Sequence, residues 1–168
     1  LALPTPLHWF KWQAYTTWIT GALLLIVVYW VGARAMLVDS SIRDISQAKG
    51  LVVAIGTIVG AWATYEILWR TVGERWPRLS LALSLVLLMN AIVLLNAMLS
   101  GRAAWVHVGA LLGTIMAGNV AFTIMPSQRE LVAALEAGRA PSQEIADRAK
   151  TRSIHNNYIT FPVIALMV

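Results

Sequence analysis

The stretch RSIHNNYITFPV, residues 152 to 163, places a histidine and two asparagines directly before an apolar run. His155 carries a ring that can exchange a proton near neutral pH, and Asn156 and Asn157 carry amide donors and acceptors. His8 lies in the same way before the first apolar segment. If these two segments are neighbours, the histidines and asparagines would form one polar site. The alternative is that the asparagines cap a helix and the cluster contacts lipid headgroups.

A third histidine, His107, shares one face of a predicted helix with small residues only: Ala103, Ala110, Thr114, Ala117 and Ala121. Small side chains beside a histidine leave space for a flat macrocycle, so His107 is a candidate haem b ligand. The second axial ligand would then have to come from outside these residues. The same stripe equally suits helix contact, with His107 hydrogen-bonded across helices to Asn96.

Three other polar side chains interrupt apolar segments. Asn90 and Asn119 are predicted to form hydrogen bonds between helices. Glu66 precedes Arg70 by four residues, which favours a local ion pair, although an isolated carboxylate there would also suit a proton relay.

The composition predicts a membrane protein. Of 168 residues, 58% are hydrophobic and 12% are charged, against roughly 25% charged in soluble domains. About 20 apolar residues cross a bilayer, and the sequence has windows of that kind. We therefore predict an all-α, polytopic transmembrane bundle in one domain, with spans at about 12–35, 50–69, 79–100, 103–125 and 157–168. The fifth window stops before it is long enough, and the chain does not begin with Met, so we expect an internal piece of a longer protein.

Charges and cysteines narrow the function classes. The chain has no cysteine, which excludes disulfides, thiolate metal sites and covalent haem c attachment, and we predict no metal site. The net charge of +5 is not read as nucleic-acid binding, because basic residues in a membrane chain report orientation first. Nine of the 13 lysines and arginines fall on one predicted face, which we assign to the cytoplasm.

The segment 126–156 is predicted to form short amphipathic helices in the cytoplasm. Pro126 would end the fourth span, and Ser127 with Glu130 has the spacing of a capping box. Gly138 would stop this helix and Ser142 would cap the next. Glycine pairs at 56 and 60 and at 109 and 113 predict close helix packing.

Three stretches carry a resemblance to a known family: LHWFKWQAYTTW (7–18), SGRAAWVHVGALLGTIMAGNVAFTIMPSQRELVAALEAGRAP (100–141) and RSIHNNYITFPV (152–163). They resemble the N-terminal membrane domain of the membrane-bound, cytochrome c-linked urate oxidases, also called urate hydroxylases. The resemblance implies a multi-pass domain of the bacterial inner membrane that oxidises urate to 5-hydroxyisourate. It also implies electron transfer to a C-terminal cytochrome c domain or a soluble cytochrome c, whose haem c site is absent from these residues.

Urate is planar and mostly anionic, so its site needs a flat slot, amide partners and a cation. Given the resemblance, we predict His155 as base or anchor, and Asn156 and Asn157 as orienting groups. The cation, the stacking walls and a second polar contact come from the remaining candidates: Arg152 or Arg129, Tyr158 and Trp9, and His8. An outward-facing site near Arg102, Trp105 and His107 stays open.

Two other classes of protein fit the same residues. A small-molecule transporter would use Asn90, Asn119 and Glu66 as its pathway. A non-catalytic membrane subunit of a respiratory assembly would need only the packing glycines and the aromatic residues at the span ends.

Overall fold

The computed structural model describes the backbone of residues 7–32 and 36–166, and the side chains from Lys11 onward within these ranges. The described residues contain helices and no strand, which confirms the all-α class. The helices are α1 (Leu7–Leu25), α2 (Gln47–Thr71), α3 (Pro77–Met98), α4 (Gly101–Asn119), α5 (Met125–Glu136) and α6 (Gln143–Ala165). Two π-helical stretches extend them, Ile26–Val31 after α1 and Val120–Ile124 between α4 and α5.

Four helical segments are long and apolar enough to cross a membrane: Lys11–Val31, Gln47–Thr71, Pro77–Met98 and Gly101–Glu136. Many of their large apolar side chains are exposed, Val31 and Val52 among them. A surface of this kind is unfavourable in water and suits lipid. Helix α6 is not among the four segments, and the predicted start of a fifth span at 157 falls inside this continuous helix.

Local sequence explains most helix starts. The side chain of Ser46 caps α2 by accepting a hydrogen bond from the Lys49 amide, and Pro77 occupies the first turn of α3. Ser100 precedes α4, and its hydroxyl donates to the Met36 carbonyl at 2.7 Å. This contact ties the start of α4 to the loop that follows the first predicted span.

The predicted helix break at Pro126 is wrong. The helix continues from Gly101 to Glu136, and no side chain caps α5, so the predicted capping box of Ser127 and Glu130 does not form. The π-helical stretch Val120–Ile124 precedes the proline, and its last bond runs from the Met125 amide to the Val120 carbonyl. A wider turn gives room to a proline ring that would otherwise clash with the preceding turn.

The segment between α5 and α6 has the helix end and the helix cap that the sequence predicts. Gly138 has φ +65°, its amide donates to the Leu135 carbonyl, and the Arg139 amide donates to the Ala134 carbonyl. This is the Schellman arrangement of a helix C-terminus, in which glycine is favoured. The Ser142 hydroxyl then accepts from the Ile145 amide and caps α6. The predicted stop and the predicted cap are both confirmed.

The backbone contacts divide the chain into two compact units. One contains residues up to Thr20 together with residues from Ile115 onward, and the other contains Gly21–Thr114. In the second unit α2 packs against α3, and the Trp69 indole donates to the Ser84 hydroxyl at 3.0 Å. Close packing is not seen at three of the four glycines for which it is predicted. A Cβ added at Gly56, Gly60 or Gly113 would meet no atom within 4 Å.

Candidate functional site

A hydrogen-bonded chain of polar side chains joins α6 to the end of α4. Nη1 of Arg152 donates to Oδ1 of Asn119 at 3.3 Å, and Nδ2 of Asn119 donates to Oδ1 of Asn156 at 2.8 Å. Nδ2 of Asn156 then donates to the Met116 carbonyl at 3.1 Å. We call Arg152, Asn119, Asn156 and the Met116 carbonyl the Asn119 network. All four belong to the first compact unit.

The helices position the network by their periodicity. Arg152 and Asn156 are four residues apart, so they lie on one face of α6, with buried Ala149 about one turn before them. On the other helix Asn119 is followed at the same spacing by Thr123 and Ser127, which are also buried. The network therefore lies at the seam where α6 packs against the π-helical stretch and α5.

The network is almost closed to solvent. Asn119 is 1% exposed and Arg152 is 3% exposed, while Asn156 and neighbouring His155 are half-buried. A buried guanidinium is costly without hydrogen-bond acceptors, and Asn119 supplies one. The half-buried residues are the part of this cluster that a ligand from outside would meet first.

His155 is neutral at physiological pH. Burial, and to a smaller extent the positive charge of Arg152, together lower the pKa of its ring to about 4. The ring thus keeps one nitrogen as a hydrogen-bond acceptor and proton acceptor. An anion bound beside Arg152 would offset its charge and raise the pKa of His155.

The structure brings only some predicted site residues together. Arg152, His155 and Asn156 lie at or beside the network, whereas Asn157, Tyr158 and Arg129 are exposed, Tyr158 by 71%. The backbone of His8 and Trp9 lies in α1, within the same compact unit as α6, but their side chains fall outside the described residues. The roles predicted for these residues stay predictions.

Helix α6 tests one part of the alternative interpretation, in which the asparagines cap a helix. The helix runs without a break through 156 and 157, so the predicted cap by these residues is wrong. The predicted contact of the cluster with lipid headgroups stays a prediction. The side chain of Asn156 instead makes tertiary hydrogen bonds, because its position faces the seam.

Asn119 is the residue that the predicted site lacked. Its hydrogen bond to Asn156 confirms the prediction that it bonds between helices. The sequence offered two separate signals, an asparagine in an apolar segment and an arginine four residues before another asparagine, but nothing in it connected the two.

His107 has a different environment, in the second compact unit. Nε1 of Trp30 donates to its Nε2 at 3.1 Å, its Nδ1 lies 2.7 Å from the Ala103 carbonyl, and the ring is fully buried. Tyr29 packs edge-on against the ring. The predicted bond to Asn96 is not the one that forms, since the Asn96 amide donates to the Ile92 carbonyl of its own helix.

This arrangement does not fit a haem at His107. Iron would have to take Nε2 from the Trp30 indole or Nδ1 from the Ala103 carbonyl, and a macrocycle would need space beside a ring with no exposed surface. These contacts do not favour haem ligation by His107. It stays a prediction from the sequence. Among the described residues, no group of three histidine or carboxylate side chains is arranged to hold a metal ion.

Two of the three polar residues of the predicted transport pathway, Glu66 and Asn90, bond within their own helices, and the third, Asn119, belongs to the Asn119 network. Nε of Arg70 donates to Oε1 of Glu66 at 2.5 Å, which confirms the predicted ion pair. The Asn90 amide donates to the Val86 carbonyl of its own helix, so this contact is not the predicted bond between helices. These contacts give no specific support to a transport pathway.

Comparison with known proteins yields one match. The family model described as Urate oxidase N-terminal matches residues 1–168, the whole of the sequence. No curated protein and no solved structure matches the chain.

Proposed function

Since the chain belongs to the urate oxidase N-terminal family, we propose that it is a membrane-embedded domain that oxidises urate to 5-hydroxyisourate and passes the electrons to a cytochrome c. Membership in this family supports an oxidoreductase that acts on urate. The membrane location is supported by the four long apolar helices and by the exposure of their apolar side chains. The bacterial inner membrane is the location that suits a cytochrome c partner.

The observation that carries the substrate assignment is the Asn119 network with His155 beside it. Urate presents carbonyl oxygens and ring N–H groups at the edge of a flat anion. Arg152 supplies a fixed positive charge, and the Asn156 amide supplies both a donor and an acceptor. The half-buried faces of His155 and Asn156 would contact the purine edge, and Arg152 would attract the anion from behind them.

The reaction balances with one water. The urate anion and water give the 5-hydroxyisourate anion, two protons and two electrons, as a C–O bond forms at C5 and both O–H bonds of the water break. Neutral His155 is a suitable acceptor for one of these protons, because the bound anion offsets the charge of Arg152 and raises the pKa of the ring. The two electrons would reduce two ferric cytochrome c haems. This chain has no cysteine, so the covalently attached haem belongs to another domain or a soluble partner.

The test uses membranes from cells that produce the full-length protein. We expect urate to disappear without oxygen when ferric cytochrome c is the acceptor, with two haems reduced per urate. Arg152→Gln should raise KM for urate by at least about tenfold, which corresponds to ~1.4 kcal/mol.

The matched control is Arg148→Gln, one turn earlier on α6, where an exposed arginine pairs with Glu144. We expect this variant to keep the wild-type KM. Membranes that contain the protein but consume no urate would overturn the proposed function. Equal KM values for the two variants would remove Arg152 from the site.

A further inference from the structure

We propose that Asn119 is the positioning residue of the urate site, holding Arg152 and Asn156 in one orientation for the purine. This inference rests on the proposed function. It adds a residue from α4 to a site whose predicted members come mainly from α6. It also states what that residue does: it acts through its two neighbours and does not itself have to touch the substrate.

The side-chain amide of Asn119 accepts one hydrogen bond of the network and donates the next. Its Oδ1 accepts from Arg152 and its Nδ2 donates to Asn156, so the amide has one favourable orientation. Oδ1 of Asn156 is then an acceptor, and its Nδ2 points to the Met116 carbonyl. Every bond in the series runs in the same direction, from the guanidinium to a backbone carbonyl. Such a series is polarised from the charged end and resists the flip of any one amide.

An amide is the group that this position requires. An aspartate at 119 would accept from Arg152, but it would have no N–H for Asn156, and its charge would offset the positive charge that an anionic purine needs. An alanine would remove both bonds. It would leave the guanidinium without one acceptor and Asn156 without the donor that fixes its rotation.

A positioning role differs measurably from a purely structural one. Loss of a buried bond alone lowers the melting temperature and the amount of folded protein, while the folded fraction still binds urate normally. Loss of orientation raises KM in the folded protein. It also makes the effect of Asn119 depend on Arg152, because the two act as one unit.

The experiment measures kcat and KM for urate with cytochrome c as acceptor, on purified full-length protein, for Asn119→Ala and Asn119→Asp. The control is Asn96→Ala, an asparagine in an apolar helix whose amide bonds to its own helix. We expect both variants at 119 to raise KM by at least about tenfold, with kcat within about threefold of wild type. We expect Asn96→Ala to match wild type. In an Arg152→Lys background, Asn119→Ala should raise KM by a smaller factor than in wild type, because only the orientation of Asn156 is then left to lose.

The outcomes separate this inference from the proposed function. Wild-type protein that consumes no urate overturns both. Wild-type protein that is active, with KM unchanged in the folded variants at 119, overturns only the positioning role. Equal effects of Asn119→Ala in the wild-type and Arg152→Lys backgrounds also overturn it. If Asn119→Ala does not fold, Asn119→Asp decides by its KM, because it keeps the volume and the acceptor.

Discussion

Nε1 of Trp30 donates a 3.1 Å hydrogen bond to Nε2 of His107, 77 positions along the chain. An indole nitrogen can only donate, so Nε2 of the histidine is the acceptor and Nδ1 carries the proton that reaches the Ala103 carbonyl. The two partners therefore select one neutral tautomer of a fully buried ring. Both ring nitrogens of His107 are thus engaged by other groups of the protein, as in a histidine with a structural role.

Trp30→Phe should destabilise the protein by about 1–3 kcal/mol, because it leaves Nε2 of His107 buried without its donor. Thermal unfolding of the purified protein in detergent measures the loss. The control is Trp76→Phe, the same change at a side chain that is 58% exposed, for which we expect less than about 0.5 kcal/mol. Equal losses in the two variants would show that the hydrogen bond contributes nothing.

His107→Ala should leave the Soret absorption of the protein, purified without any cytochrome c domain, the same as in wild type. Both ring nitrogens already have protein partners, so neither is expected to bind iron. The measurement is the absorption spectrum before and after reduction. A Soret band that is present in wild type and lost in His107→Ala would establish the histidine as a haem ligand.

The protein should lose stability as the pH falls from about 6.5 towards 4. In the unfolded chain His155 takes up a proton near its ordinary pKa, whereas in the folded chain burial and Arg152 lower this pKa to about 4. The unfolded state therefore binds more protons across this window. The contribution of His155 is fully present above 6.5 and is lost as the pH drops through 4.

His155→Gln should flatten this dependence, since glutamine keeps the polarity and does not titrate. We expect melting temperatures of the wild type and the variant to diverge by a few degrees between pH 7 and pH 4.5. Parallel curves would mean that the ring is protonated in the folded protein as readily as in the unfolded chain.

Gly138→Ala should destabilise the protein by about 1 kcal/mol, because φ +65° brings a Cβ close to the following carbonyl oxygen. The same change at Gly113 should stabilise it by up to about 1 kcal/mol, since that glycine is inside a helix and an added Cβ would meet no atom within 4 Å. Melting temperatures should therefore move in opposite directions. A shift of the same sign at both positions would contradict the assigned helix end.

The helices could be predicted from the sequence because length and apolar content are local properties. The sequence predicts the second and third spans at 50–69 and 79–100, and the helices run from Gln47 to Thr71 and from Pro77 to Met98. The π-helical stretches could not be predicted. They depend on which carbonyl an amide reaches, and no residue type encodes that choice; one consequence was the wrong helix break at Pro126.

Part of the site could also be predicted, because the spacing of residues along one helix is a local property. Arg152 and Asn156 share a face of any helix that contains both, so their proximity follows from their spacing. The partnership with Asn119 depends on how α6 packs against the end of α4, which local sequence does not determine. Tyr158 and Asn157 are adjacent to the site in sequence, but helical periodicity turns them to the exposed side.

Helix α6 is continuous from its serine cap to Ala165. The direction in which Arg152 and Asn156 point is therefore fixed relative to the start of the helix. Each added residue turns the rest of an α-helix by about 100°. A single alanine inserted after Lys150 would rotate the guanidinium and the amide together away from their partner, although every side chain would still be present. Four inserted residues would bring them back to within about 40° of their bearing, displaced by roughly 6 Å along the axis. The number of residues between the Ser142 cap and Arg152 therefore sets the direction in which the polar face of the helix points.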